Sequence, residues 1–552
     1  MFFIVRYRRY PVDKVRELCK NSIMGENYGY QSTRRNTMAV RTLIRKNAYY
    51  DSVVLMSVSG RIAEQEGVSD AMVAMATDMN KELLDGIGLL TPAISGCGAN
   101  DLLIVVRALD ETICEQAVAQ AEAALSQRAG NLQGNAAPPP ATLNAAVRAL
   151  PPANLVVISV PGAYAAREAW QALRQGLHVM MFSDNVSIEE EKSLKAYAHE
   201  AGLLMMGPDC GTAIVNQVGL CFANAVKPGV VGVVGASGTG IQEVTVLLDR
   251  YGGGVSQVLG VGGRDLSEAV GGRMMLDCLR ALSWDEATKV IVLISKPPAA
   301  AVADRILKAA RQSGKPMVVC FIGSEPVVKV EDNLYFTGSL EAASRQAAAL
   351  ARGETEAVIP RDDSQAVREW AAGRRKMLSP GQKFIRGLFC GGTLCDEAVA
   401  VVGRAVGPVY GNTIKDPQRR LQDATVSQRH SFIDLGDDAF TVGKPHPMIE
   451  PGLRLPRLLQ EARDPDVAVI LLDVLLGYGS HPDPVGVTLP AIEEALRLSR
   501  EAGRHLEIIC YLCGTGQDPQ NYRDQETRLN AAGVTLASSN AAAARMAAAM
   551  VG

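Results

Sequence analysis

Residues 233–240 read VVGASGTG and residues 389–394 read FCGGTL; each takes an apolar strand through a glycine-rich turn into a helix. The first N–H groups of a helix have no intrahelical partner, and that end carries roughly half a positive charge, so such a turn suits an anion. One such turn is ordinary strand-to-helix geometry. Two are informative because each opens the same succession of segments. After Ser237 come GGRD at 262–265, DEATKVIVLI at 285–294, a strand over 316–322 and an alanine-rich helix within 334–349. After Gly391 come IDLGD at 433–437, DPDVAVILL at 464–472, a strand over 506–512 and an alanine-rich stretch within 534–548. The pattern predicts two similar α/β domains. Ser237, Gly238, Thr239 and Gly240 on one side, and Gly391, Gly392 and Thr393 on the other, are expected to offer N–H and hydroxyl donors to phosphate.

Upstream, strands over 155–160, 179–182 and 203–206 alternate with helices over 163–174 and 188–201, the order of a doubly wound parallel sheet. No complete G-x-G-x-x-G follows the first strand, so a dinucleotide site is not supported. Residues 39–128 read as strand 52–58, helix 70–84, strand 102–107 and helix 110–128, a small α/β domain of ferredoxin-like type. Pro138-Pro139-Pro140 marks a linker. The first 37 residues hold eight Lys/Arg against three Asp/Glu with little periodicity. They read as a basic extension, with Met38 as the start of the folded chain.

Composition narrows the function classes. The chain has 552 residues, 47% hydrophobic and 21% charged, with a formal net charge of −3, which leaves no basic footprint for nucleic acid or an anionic membrane. No apolar run reaches a membrane span of roughly 18 residues, and the start shows no signal-peptide pattern, so a cytoplasmic location is expected. Eleven scattered cysteines argue for reduced thiols. Cys510-x-x-Cys513 sits in a buried-strand pattern without further zinc ligands, and Asp437-Asp438 reads as a turn cap, so no metal is predicted.

The runs VISVPGAYAAREA (157–169), MFSDN (181–185), MGPDCGT (206–212), KPGVVGVVGASGTGIQE (227–243), GVGGRDL (260–266), ISKPP (294–298), GLFCGGTL (387–394), IDLGDDAFTVGKPHPMI (433–449) and LLDVLLGYGSHPDP (471–484) resemble the FdrA family, relatives of the succinyl-CoA synthetases. The resemblance implies an N-terminal domain, which the residue pattern reads as ferredoxin-like at 38–130 with a linker at 131–150, and a CoA-binding-like Rossmann domain at 151–227. It further implies two flavodoxin-like ligase domains at 228–352 and 382–552, joined by a linker at 353–381. In the synthetases the helices after two such turns face each other and bind phosphate.

Those enzymes also carry phosphate on a histidine late in the first ligase domain. Residues 324–339 here, SEPVVKVEDNLYFTGS, contain none; His178, His199, His430, His446, His481 and His505 all lie elsewhere. The glutamate that holds the phosphohistidine, in a Glu-x-Gly-Gly, is replaced by Ser295-Lys296-Pro297-Pro298, and no ATP-grasp domain is visible. The resemblance points instead to anaerobic allantoin and purine breakdown. There a carbamoyltransferase of several subunits converts oxalurate and phosphate to oxamate and carbamoyl phosphate, and this chain is expected to be one subunit. The alternatives are an ADP-forming acyl-CoA synthetase and a noncatalytic regulatory or scaffolding protein. Phosphate, a small anionic substrate and partner subunits are the expected partners, and coenzyme A enters only through the resemblance.

Three further side chains are candidates for chemistry. Arg264 after Gly262-Gly263 can grip a carboxylate with its two-pronged guanidinium, Lys444 can bind an anionic substrate, and His446 can transfer a proton as a general acid. Lys296 is expected to face the same crevice. Glu243 complements the dipole of its helix, and Cys210, Cys390 and Cys395 read as small packing residues.

Overall fold

The computed structural model describes residues 2–6, 39–46, 48, 50, 52–63, 65, 67–77, 80–81, 84–85, 87–98, 100–131, 140, 142–324, 329–358, 364–441 and 445–552. They belong to two compact units, one of residues 8–141 and one of residues 1–7 with 142–552.

In the smaller unit, Leu102–Ala108 lies between Ala39–Arg45 and Val68–Met75, antiparallel to both, and helices Ser52–Ala63 and Glu111–Asn131 complete a β-α-β-β-α order. This is the ferredoxin-like connection. Two elements differ from the sequence expectation. Residues 52–58 are helical although β-branched residues suggest a strand, because Leu55, Val58 and Ile62 recur at helical spacing and share one core with Leu102, Ile104 and Val106. Residues 70–75, expected to be helical, instead form a strand paired with Leu102–Arg107, so cross-strand packing overrides local propensity.

The larger unit begins with a parallel sheet of Ala153–Ile158, His178–Met181 and Met205–Met206. Residues 2–6, set apart in the sequence reading with the basic stretch, pair antiparallel with Ala153–Ile158. Two modules come next along the chain. The first has strands β1 (Pro228–Gly235), β2 (Val255–Gly260), β3 (Val290–Ser295), β4 (Met317–Phe321) and β5 (Leu334–Thr337), with helices α1 (Gly238–Arg250) after β1 and α2 (Leu340–Ala351) after β5. The second has β6 (Phe384–Phe389), β7 (Ser431–Asp434), β8 (Val467–Leu475), β9 (Glu507–Cys513) and β10 (Thr535–Ala537), with α3 (Gly392–Val406) after β6 and α4 (Asn540–Val551) after β10. In each sheet these five strands run second, first, third, fourth, fifth, mutually parallel, the flavodoxin-like order, whose crevice lies at the carboxyl ends of the strands; Thr212–Val215, Val218–Cys221 and Lys329–Glu331 extend the first sheet by antiparallel pairing, and Tyr410–Gly411 extends the second in parallel.

The modules share one core. Val233 and Val292 from one sheet, Ile385 and Val469 from the other, and Val244, Ala347, Ala398 and Ala547 from the four helices belong to a single buried cluster. The alanines that make α2 and α4 conspicuous in the sequence are the small side chains of this shared layer. No helix among the described residues is long and apolar enough to cross a membrane.

Candidate functional site

The two glycine turns touch. Ser237 is the N-cap of α1: its Oγ accepts from Gly240 N (3.0 Å) and donates to Thr393 Oγ1 (2.7 Å) in the first turn of α3. Reciprocally, a Cβ placed on Gly391, the N-cap of α3, would lie 3.0 Å from the side chain of Thr239. Each helix therefore starts against the other. Their N-termini border one cavity of about 800 Å³, lined by Ser237, Gly238 and Thr239 on one side and Gly392 and Thr393 on the other.

Gly391 departs from its expected role. Its N–H and that of Cys390 both donate to the Asp473 carboxylate (2.8 Å each), so they are turned away from any anion. Asp473 is fully buried on β8 and is met by Arg454, whose Nη1 reaches Asp473 Oδ1 (3.1 Å) and backbone O (2.6 Å). This buried pair fixes the second turn, and the donors left for a ligand are the first-turn N–H groups of Gly238, Thr239, Gly392 and Thr393 with the two threonine hydroxyls.

Arg264, expected to grip substrate, is instead engaged by Glu191 (3.0 Å) and Val186 O (2.7 Å) and does not line the cavity. Its neighbour Asp265 is buried against Lys195 (2.8 Å), which also meets Glu191 (2.8 Å) and Val261 O (2.9 Å). Lys444 lies outside the described residues. Lys296 lines the cavity and pairs with Asp396 (2.7 Å); burial works against its charge, but Asp396 and Asp434 among its neighbours together raise its pKa.

His446 also lines the cavity, beside Phe222 at 5.6 Å between ring centroids. Its Nδ1 accepts from Met448 N (3.2 Å), which places the proton on Nε2. Burial drives its pKa down to about 4, partly offset by Asp184. The ring is therefore neutral near pH 7 and offers an N–H donor, where the sequence suggested an imidazolium acid. Cys210, Cys390 and Cys395 are buried, and desolvation raises all three thiols.

Asp434, to which the sequence reading gave no role, is a buried cavity residue at the end of β7. Its backbone is fixed to Asn412 in both directions (2.9 and 3.0 Å), and Oδ1 accepts from Gly436 N (2.9 Å). Oδ2 lies over the start of α3: a Cβ on Gly392 would come within 2.4 Å of it. Burial is the main reason that Asp434 is pushed up to about 7, against the opposing influence of Lys296. Asp184, Asp209, Asp437 and Asp438 make the cavity lining acidic.

Known proteins share these domains. The profile of the CoA-ligase family matches residues 388–550, that of the CoA binding domain matches residues 226–323, and that of the AllF, heavy metal-associated domain matches residues 38–139. The YahF protein of Escherichia coli K12 is 49% identical over 503 residues, covering 91% of this chain and 97% of that protein. The chain belongs to the FdrA family. As an FdrA protein it is succinyl-CoA synthetase-like: the alpha 2 subunit of the ADP-forming succinate–CoA ligase of Archaeoglobus fulgidus is 30% identical over 148 residues, covering 26% of this chain and 50% of that subunit. Among solved structures, the dinucleotide forming acetyl-coenzyme A synthetase 1 of Ca. Korarchaeum cryptofilum, with phosphate and ADP, matches at 16% identity with a TM-score of 0.27, over 72% of this chain and 82% of that one. The ATP citrate lyase of Methanosaeta concilii matches at 20% identity with a TM-score of 0.31, over 40% and 39%.

Apart from the helix N-termini, the described cavity lining offers the phosphates of coenzyme A five aspartates and Lys296, which is already paired with Asp396. A heavy metal does not suit residues 38–139. Cys97 and Cys114 are the only cysteines there, histidine is absent, and both thiols are buried and directed at backbone oxygens, Ala93 O and Ala39 O (3.3 Å each).

Proposed function

We propose that this chain supplies the phosphate site of a carbamoyl-transferring enzyme and is one subunit of an oxamate carbamoyltransferase, cleaving oxalurate with phosphate to oxamate and carbamoyl phosphate. The observation that carries the reading is the Ser237–Thr393 contact, which gives two helix N-termini one shared cavity. Phosphate held there meets preorganised N–H donors that stabilise charge on its oxygens while positioning it for attack on an acyl-type carbon. Residues 324–339 carry no histidine, so chemistry that attacks carbon directly with phosphate suits the chain better than chemistry through a phosphohistidine.

The acidic lining supports a role for partners. Asp184, Asp209, Asp437 and Asp438 oppose a second anion, and a basic side chain from another subunit would complete the site for an anionic carbamoyl donor.

The test is formation of carbamoyl phosphate from oxalurate and inorganic phosphate by the chain alone and with the proteins encoded beside it. Turnover that requires those proteins and collapses in a Ser237→Ala, Gly392→Ala variant supports the reading. Absence of turnover in every combination overturns it. The match of residues 388–550 to the CoA-ligase profile favours a second reading, ATP-dependent thioester formation from coenzyme A, to be assayed in the same samples.

A further inference from the structure

The two modules differ at one position of the site. Val261 N donates to Gly235 O (2.9 Å) just as Leu435 N donates to Phe389 O (2.8 Å), which makes Gly260 and Asp434 equivalent as the last residues of β2 and β7. The first module has no side chain there. The second has a carboxyl fixed through Oδ1 and the Asn412 backbone bonds, whose Oδ2 has no hydrogen-bond partner among the described residues and overlies the first residue of α3. A carboxyl held on one edge and open on the other, beside a helix end suited to phosphate, is placed to exchange a proton with whatever reacts there.

We propose that Asp434 carries the proton of the carbamoyl transfer, an inference that rests on the phosphorolysis reading above. An oxygen of hydrogenphosphate attacks the carbamoyl carbon and forms the new C–O bond. The C–N bond to the departing amide breaks, and its electron pair stays on nitrogen. That nitrogen takes a proton from the Asp434 carboxyl, and the carboxylate so formed takes the proton of the hydrogenphosphate. One proton has moved from phosphate to nitrogen, and atoms and charge balance with no further reactant. Among the described residues, the groups facing Asp434 are Lys296 with its partner Asp396, Asp437, neutral His446, and the thiols of Cys390 and Cys395. A point beside Gly436 lies 2.7 Å from His446 Nε2 and 3.2 Å from Asp434 Oδ1, so the imidazole N–H and the carboxyl flank one another. Burial outweighs Lys296, and with its pKa pushed up to about 7 Asp434 is available as an acid at neutral pH.

The experiment compares the wild-type assembly with Asp434→Asn. In the variant kcat falls by about 10²–10⁴-fold, calorimetric binding of inorganic phosphate persists, and the decline of wild-type kcat above about pH 7 disappears. A carbamoyl donor whose departing nitrogen is more acidic recovers most of the lost rate, and Asp434→Glu, which keeps the acid, recovers part with oxalurate. An Asp434→Asn enzyme with wild-type turnover, or one equally impaired with both donors, overturns the proposal while leaving phosphorolysis intact. A wild-type assembly that never cleaves oxalurate overturns both.

Discussion

Glu243 and Glu397 are the sixth residues of α1 and α3, and each accepts a hydrogen bond from the first backbone N–H of the other module's last helix. Glu243 takes Asn540 N (3.0 Å), and Glu397 takes Leu340 N (2.8 Å). Both carboxyls are buried, and desolvation raises both pKa values, with Glu397 adding to the rise at Glu243. A glutamate whose folded pKa lies above its unfolded value near 4.3 contributes stability below that value, and the contribution is lost as pH rises toward the folded pKa. Glu243→Gln, which keeps the acceptor for Asn540 N, should be nearly neutral at pH 5 and stabilising at pH 8 in urea titrations. Destabilisation at pH 8 would show that the folded protein favours the ionised carboxylate.

The Ser237–Thr393 hydrogen bond joins the modules at the cavity. Ser237→Ala also removes the α1 N-cap and should cost about 1–2 kcal/mol, whereas Thr393→Val should cost about 1 kcal/mol. A double-mutant cycle by chemical denaturation should return a coupling of about 0.5–1.5 kcal/mol, and a coupling of zero would show that the hydroxyls do not interact in solution.

Lys195 is surrounded by Glu191, Asp265 and Val261 O and is fully buried. Removing it leaves the buried Asp265 carboxylate without its cation and Glu191 with Arg264 alone, so Lys195→Ala should lower unfolding stability by about 3–5 kcal/mol. The measurement is the shift in denaturant midpoint; a change below about 1 kcal/mol would mean that water reaches the site.

His446 should remain neutral through the physiological range, with its Nε2–H tautomer visible by nitrogen-15 NMR and no titration until the pH approaches about 4. Because its folded pKa is depressed, its contribution to stability is present above the unfolded value near 6.5 and is lost as pH falls from there toward about 4. A midpoint near 6.5 in the native protein would show that the ring is solvated.

The glycine turns and the repeat were legible because a turn, an apolar strand and an alanine-rich helix are written in adjacent residues. The pattern alone predicts two similar α/β domains; their flavodoxin-like order is implied by the family resemblance, and β1 to β5 and β6 to β10 follow it. Residues 52–58 and 70–75 mislead on propensity because a helix with β-branched valines and a strand with alanines invert the usual preferences, and packing against Leu102–Ala108 decides between them. Asp473 and Arg454 were invisible as partners of the second turn, since their contacts join residues far apart in the chain. Asp434 did leave a signal. Superposing GVGGRDL on the IDLGD segment sets a glycine against an aspartate at a strand end, and an asymmetry inside a repeat marks a place where the two copies do different work.

The reciprocal capping by Glu243 and Glu397 has a consequence for assembly. Each module lends the other a helix cap, a wall of the cavity and part of one core, so neither half is a finished folding unit. Residues 353–381 tether the two, and their encounter is intramolecular, at an effective concentration that dilution does not change. The cavity therefore cannot be lost by subunit dissociation at low protein concentration, and cleavage of that tether is the event that would expose it to mass action.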